Sequence, residues 1–343
     1  MSLTLIEIAR QLSSPVVTRK IVTKETRQIA PKEVDENKPV PKVQLIYAFN
    51  ANGKTRLSSA VKQLIDPKTD DRADDHRPKV LYYNAFTEDL FFWDNDLEAD
   101  TERKLKIHRN AFTKSAFEEL GLDFNVTTTF QRYTQRNLTP RFSPDFSEVT
   151  FSLERGDDEG IETLKISKGE ESNFIWSVFY SLLDQVISVR NVVEVEDRET
   201  QQFNDLEYVF IDDPVTSLDE NHLIELAVDV AGLIKRSESS NGLKFIVTTH
   251  SPLFYNVLYN ELKNKSCYML ERLDDGTFKL DAKQGDSNRS FSYHLYLRKV
   301  LEEAIAADKI ERFHFMFLRN LYEKTAAFLG YQNWGELLNT VQD

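Results

Sequence analysis

An apolar run, Val43 to Tyr47, leads through Ala48-Phe49-Asn50-Ala51-Asn52-Gly53-Lys54-Thr55 into a helical pattern that begins near Arg56. This order constrains the fold more than anything else in the chain. A strand, a tight loop and a helix opening on Lys-Thr aim backbone N–H groups and one lysine at the phosphates of a nucleotide. A buried strand of this kind also needs further strands beside it and helices over it. The segment reads as a phosphate-binding loop in which Asn50, Asn52, Gly53 and Lys54 hold the nucleotide, Lys54 at the β/γ-phosphates, while Thr55 ligates Mg²⁺. Two positions depart from the G-x-x-x-x-G-K-[ST] pattern: Ala48 stands at its first glycine, and Ala51 where a further glycine is common.

Composition sets the outer limits. The 343 residues suffice for two or more domains. Hydrophobic residues at 41% and charged residues at 29% are ordinary globular values. No apolar stretch approaches the roughly 20 residues that span a bilayer, and Glu7 and Arg10 interrupt the apolar start that a secretory signal needs. The expectation is a cytoplasmic protein with no membrane partner. A single cysteine, Cys267, forms no internal disulfide, and no Cys/His cluster has metal-site spacing. The net charge of −13 argues against a broad cationic surface for duplex nucleic acid, though basic residues recur locally between Lys283 and Lys324.

Residues 1–42 read as an N-terminal extension, with a short amphipathic helical pattern at Leu5, Ile8, Ala9 and Leu12 before a polar stretch around Pro31, Pro39 and Pro41. Residues 43–280 read as the nucleotide-binding domain, with an insertion around 88–150. Within it, Asp66 to Pro78 is expected as an exposed loop, Val80 to Tyr83 as a strand, Glu102 to Leu122 as helical, and Phe142 to Leu153 as an irregular piece ending in a strand. From Glu170 to Val189 apolar residues fall at helical spacing. A strand at 207–211, a helix at 219–235, a strand at 243–248, a helix at 252–262 and a strand near Tyr268 follow. That alternation predicts a mostly parallel sheet covered by helices. Residues 281–343 are helical from Phe291 to about Leu329.

Four further segments bear on the loop. The apolar strand Tyr208 to Ile211 ends in Asp212 and Asp213, where the first carboxylate suits Mg²⁺ and the second can orient or deprotonate an attacking water. Ser217-Leu218-Asp219 comes next, and a later strand delivers His250 to the neighbourhood of a γ-phosphate. Upstream, Ser167-Lys168-Gly169-Glu170 opens the long helix, whose N-terminus favours phosphate. Singly, these are an Asp-Pro turn, a packing histidine and a capping box. In this order they resemble the five nucleotide-handling motifs of ABC-type ATPases. The resemblance implies an α/β fold with an ABC-type P-loop NTPase head. It also implies a head-to-tail homodimer in which Ser167, Gly169 and Glu170 of one subunit cap the nucleotide held by the other. Asp213 takes the place of the family's glutamate, and its shorter reach suits slow hydrolysis, hence a switch. No base-contacting motif is legible, so ATP and GTP both stay open.

In the last third, Arg319 and Glu323 are four apart and share a helix face. A surface ion pair is the plain reading. Metal-independent RNA cleavage, however, needs a base for the 2′-hydroxyl, a cation for the phosphorane and an acid for the leaving oxygen, of which this pair supplies two. The strings Pro41 to Asn50, Tyr82 to Phe91, Ser167 to Phe179, Tyr208 to Leu226 and Arg319 to Gly330 make the sequence similar to the bacterial anticodon nucleases over nearly its whole length. The resemblance implies that the helical C-terminal region is an all-α tRNA-recognition and nuclease region with Arg319 and Glu323 catalytic. Asp286 falls in the segment that recognises the anticodon. It implies cleavage of a tRNA anticodon stem-loop, typically of lysine tRNA, 5′ to the wobble nucleotide, as an anti-phage defence. A type I restriction-modification complex would be the silencing partner, GTP or ATP with Mg²⁺ the activating nucleotide, and thymidine triphosphate a regulatory one. The family's downstream histidine has no counterpart before Asp343, and the last histidine is His314, so a truncated nuclease region is expected. The competing readings are a RecF/SMC-like DNA-associated ATPase and a regulatory ATPase module without nuclease activity.

Overall fold

The computed structural model describes residues 2–14, 16–21, 32–37, 39–67, 77–84, 91–95, 103–108, 113–134, 138–153, 164–215, 218–238, 241–263, 266–283 and 293–341. It divides into two compact units, residues 1–283 and 284–343. In the first unit six described strands form one sheet, in the order β12 (Phe278–Lys283), β11 (Cys267–Arg272), β3 (Val43–Tyr47), β10 (Lys244–Thr249), β9 (Tyr208–Asp212) and β4 (Val80–Asn84). All neighbours run parallel except β11 and β12. The continuous apolar runs of β3, β9 and β10 follow from this position, because a central parallel strand is covered on both faces.

Successive side chains leave a strand on opposite faces, and each face meets its own helices. On one, Ile46 and Phe210 pack with Leu57 and Val61 of α2 (Lys54–Ile65) and with Leu5, Ile8 and Leu12 of α1 (Leu5–Ser13). The first helix therefore belongs to the core of the head and is not a separate extension. Leu3 and Phe278 exchange both backbone hydrogen bonds, at 2.7 and 2.8 Å, which pins the chain start to β12. The polar stretch that follows holds an antiparallel pair, β1 (Val16–Ile21) and β2 (Lys32–Asn37). On the other face, Tyr83 meets Trp176 and Phe179 of α4 (Lys168–Asn191), at ring distances of 5.4 and 4.6 Å. Tyr47 meets Tyr255 of α6 (Pro252–Leu262), and α5 (Glu220–Arg236) packs beside α6.

The insertion differs from its expected form. A four-stranded antiparallel sheet, β5 (Phe91–Asn95), β6 (Arg103–Ile107), β8 (Glu148–Leu153) and β7 (Leu138–Phe142), occupies it. Arg103-Lys104-Leu105-Lys106-Ile107 alternates with period two, and Leu105 and Ile107 are buried, so the stretch expected as helix starts as strand. A π-helical turn, Lys114–Glu119, and the helix α3 (Asp123–Thr134) come after it. Phe91, Phe130, Phe151 and Phe174 form an aromatic cluster joining this sheet to α3 and α4, with ring distances of 5.2 to 5.6 Å. Asp66, expected on an exposed loop, is buried and accepts the Lys79 N–H at 3.4 Å.

The second unit is helical: α7 (Tyr293–Ala306), α8 (Arg312–Leu329) and α9 (Trp334–Val341), with α8 packed on both others. Gly330 ends α8 in the left-handed region at φ +83°, the conformation that glycine takes without a Cβ penalty. No helix among the described residues is long and apolar enough to cross a membrane.

Candidate functional site

The loop after β3 is held in the shape that a phosphate cradle needs. Ala48 N–H donates to Thr249 O at 3.0 Å, tying the loop to β10. Ala51 and Gly53 both have positive φ, +66° and +84°. A Cβ on Gly53 would stand 2.8 Å from the Phe278 ring, so only glycine fits. Lys54 is buried and curls back over the loop, its Nζ donating to Ala48 O, Phe49 O and Asn50 Oδ1 at 3.1 to 3.3 Å. A cavity of about 320 Å³ opens here, lined by Asn50, Gly53, Lys54, Thr55, Asp212 and Asp213 among others. It lies at the carboxyl ends of β3 and β9, where ligands enter sheets of this kind. A larger cavity of about 600 Å³ opens at the opposite strand ends beside Arg10, Lys79 and Glu207, away from all of these groups.

Strand register assembles the acidic half. Asp212 pairs with Thr248 of β10 on one side and Asn84 of β4 on the other. Its carboxylate accepts Thr248 Oγ1 at 2.6 Å and the Tyr82 hydroxyl at 3.1 Å, and Ser58 Oγ donates in turn to Tyr82. Burial pushes the Asp212 carboxyl above its ordinary range, against hydrogen bonds from Thr248, Thr55 and Tyr82. Asp213 has φ +49°, a left-handed conformation that costs a non-glycine residue about 1 kcal/mol. That backbone turns its carboxylate to Lys54 Nζ at 3.3 Å and to His250 Nδ1 at 2.7 Å, while His250 N–H donates at 3.2 Å. Burial would raise this carboxyl too, but the His250 hydrogen bond and the charges of His250 and Lys54 outweigh it and hold Asp213 below the ordinary range. A buried carboxylate beside the Thr55 and Thr248 hydroxyls is an oxygen-only donor set, which suits Mg²⁺. Thr55 and Asp212 would hold that ion, and Lys54 with the loop N–H groups a triphosphate.

Asn50, Gly53, Lys54, Thr55, Asp212, Asp213 and His250 thus converge, and Asn52 lies in the same loop, its N–H on Phe49 O at 3.3 Å. Ser167, Gly169 and Glu170 do not line this cavity. They form the N-terminus of α4, where Ser167 N–H donates to Glu170 Oε2 at 2.8 Å and Glu170 N–H to Ser167 Oγ at 3.3 Å, a complete capping box. Next to it, buried Glu171 accepts Trp93 Nε1 at 3.2 Å, linking this helix start to β5. Asp219 caps α5, and Ser217 lies outside the described residues.

In α8, Arg319 Nε donates to Glu323 Oε1 at 2.7 Å, and both side chains are exposed. His314 does not approach them. Its buried ring accepts the Glu311 N–H at 2.9 Å and closes the first turn of the helix. Asp286 lies outside the described residues. Tyr82 and Thr248 were not expected as site residues. Tyr82 opens the stretch Tyr82 to Phe91 and Thr248 stands two residues before His250, but a tyrosine or threonine in a strand carries no local sign that it will meet a carboxylate on the next one.

No protein-family model matches the chain. It is 59% identical over 349 residues to the anticodon nuclease of Escherichia coli, a match that covers 98% of this chain and 86% of that protein. Among solved structures it is similar to an SMC head bound to the C-winged helix domain of ScpA, with 13% identity, TM-score 0.37, and 76% of this chain and 95% of that one covered. The SMC head domain from Thermotoga maritima gives 13% identity and TM-score 0.31, covering 71% of this chain and 91% of that one.

Proposed function

The chain belongs to the anticodon nuclease family, and on that premise we propose that it is a tRNA endoribonuclease whose cutting is governed by nucleotide bound at its α/β head. The observation that carries this reading is the 59% identity over 98% of the chain. The exposed Arg319–Glu323 pair supports it, because an accessible carboxylate and guanidinium can engage an RNA backbone. Glu323 takes the proton of a ribose 2′-hydroxyl as its oxygen attacks the adjacent phosphorus, and Arg319 holds the charge that builds on the phosphorane. The P–O5′ bond breaks to leave a 2′,3′-cyclic phosphate and a 5′-hydroxyl. The leaving oxygen takes its proton from a general acid or from water, and His314 Nδ1 is not that acid, since it accepts the Glu311 N–H.

The finer parts of the proposal rest on the family resemblance: lysine tRNA cut 5′ to the wobble position, Asp286 in anticodon recognition, a role in phage defence, and silencing by a type I restriction-modification complex. The head would bind GTP or ATP with Mg²⁺, with thymidine triphosphate as a regulatory ligand, and Asp213 would serve hydrolysis once a triphosphate draws Lys54 away from it. That Ser167, Gly169 and Glu170 stand apart from the chain's own cavity fits a head-to-tail dimer in which they cap the partner's nucleotide.

The test is incubation of the full chain with an anticodon stem-loop RNA and nucleotide, with the products resolved by end chemistry. Cyclic-phosphate ends that disappear in Glu323→Ala are expected. DNA-stimulated hydrolysis with intact RNA would replace this reading with a DNA-associated ATPase.

A further inference from the structure

His222, in the first turn of α5, stands outside the nucleotide cavity yet holds the N-cap of the helix that follows β9 and Asp213. Its Nδ1 lies 2.8 Å from Asp219 Oδ2, and its Nε2 lies 2.8 Å from the backbone oxygen of Tyr133. A carboxylate and a carbonyl oxygen can only accept hydrogen bonds. With both contacts made as hydrogen bonds and Asp219 ionised, both ring nitrogens carry protons and the side chain is an imidazolium. Its two partners belong to different elements. Asp219 is the N-cap of α5, accepting the His222 N–H at 2.9 Å. Tyr133 lies in the last turn of α3, where free carbonyls favour a cation.

The connection runs further. The Tyr133 hydroxyl donates to Asp229 of α5 and accepts Trp176 Nε1 at 2.7 Å. Arg132 binds the same Asp229 carboxylate and lies over the rings of Tyr133 and Tyr180, at 5.0 and 5.4 Å. Trp176 and Tyr180 belong to α4, the helix that Ser167 caps. Among the described residues, the charged groups around His222 are Asp219 and Glu225 from α5 and, beside Glu225, Arg132 from α3 and Asp229. Partial burial disfavours the imidazolium, but the Asp219 and Tyr133 hydrogen bonds and the two nearby carboxylates outweigh it and raise the group above the ordinary imidazole value.

We propose that His222 is a positioning residue for the nucleotide site: protonated, it latches the Asp219 turn to the end of α3, so that this turn and the helix capped by Ser167 move as one body. This rests on the nucleotide reading of the head given above. Removal of the proton leaves one ring lone pair facing an oxygen lone pair, and the latch opens on that side.

Imidazole NMR on the ¹⁵N-histidine-labelled full chain tests the charge directly, with His222→Gln identifying the signal. The titration midpoint should lie above that of a free imidazole, with both ring nitrogens protonated below it, and Asp219→Asn should lower it. A midpoint at or below that of a free imidazole overturns the proposal. Hydrogen exchange tests the latch: amides in the first turn of α5 and the last turn of α3 should lose protection together as pH rises through the midpoint, and His222→Gln should abolish that dependence. Independent exchange of the two turns overturns it. Nucleotide hydrolysis should fall about tenfold in kcat across the same titration with KM little changed, within the range that misplacing a supporting group costs. An alkaline fall that persists in His222→Gln removes the positioning role. A chain that neither binds nor hydrolyses nucleotide refutes the reading of the head, while the spectrum and the exchange data still decide the latch.

Discussion

The phosphate loop and the C-terminal helix each set a cation against a carboxylate, in opposite surroundings. Lys54 and Asp213 are 3.3 Å apart with 8% and 17% of their side chains exposed, whereas Arg319 and Glu323 are 2.7 Å apart with 63% and 46% exposed. Water screens the second pair, and such pairs contribute about 0–1 kcal/mol. In the first, removing Lys54 leaves the buried Asp213 to His250 alone, and removing Asp213 leaves the buried Lys54 among neutral oxygens. The buried pair is therefore part of how the head folds, and an incoming anion would compete with the carboxylate for Lys54. The exposed pair contributes little to folding and can meet a substrate without first being dug out of the protein.

The contrast breaks if Glu323→Ala leaves RNA cleavage intact. The expected result is a loss of about 10²–10⁴-fold, the usual worth of a positioned base, with an unchanged melting temperature, measured by gel assay and thermal unfolding on one preparation. Lys54→Ala should do the reverse, costing roughly 3 kcal/mol in urea unfolding and abolishing nucleotide binding. Gly53→Ala introduces a Cβ 2.8 Å from Phe278 at φ +84°, and its strain should cost about 2 kcal/mol with folding otherwise two-state. Ala51→Gly acts the other way: relief of φ +66° should stabilise the chain by about 1 kcal/mol.

The smallest effect is in the pH dependence. Asp213 is held below its unfolded value, so its contribution is present above the unfolded pKa and is lost as pH falls through the folded one. Asp212 is raised, so its contribution is present at low pH and lost as pH rises. Asp213→Asn should flatten the acid limb of stability, and Asp212→Asn should steepen it. Slopes of the same sign in urea titrations would refute the opposed environments.

Much of the head was legible. The largely apolar runs at Val43 to Tyr47, Tyr208 to Ile211 and 243–248 have strand length, and their alternation with helical periodicity pointed to a mostly parallel sheet. The insertion was misread because the alternation in Arg103 to Ile107 is five residues long and is flanked by polar residues. The role of α1 was missed because an amphipathic stripe shows that a helix is buried, but not against what. At the C-terminus the i, i+4 spacing announced the Arg319–Glu323 pair, while the commitment of His314 to a cap needed the geometry of Glu311.

The sequence by itself determined which groups stand at each strand end and helix start: Lys54 and Thr55 after the loop, Asp212 and Asp213 after β9, Ser167 with Glu170 at α4, and Arg319 with Glu323 along α8. These are local matters of spacing, and local backbone geometry fixes them. Only the tertiary structure decided that Tyr82 and Thr248 grip Asp212 from 130 and 36 residues away, and that His222 joins Asp219 to the carbonyl of Tyr133 across 89. Such contacts depend on strand order and helix placement, which arise from burying whole faces together and leave no mark on any single stretch of chain.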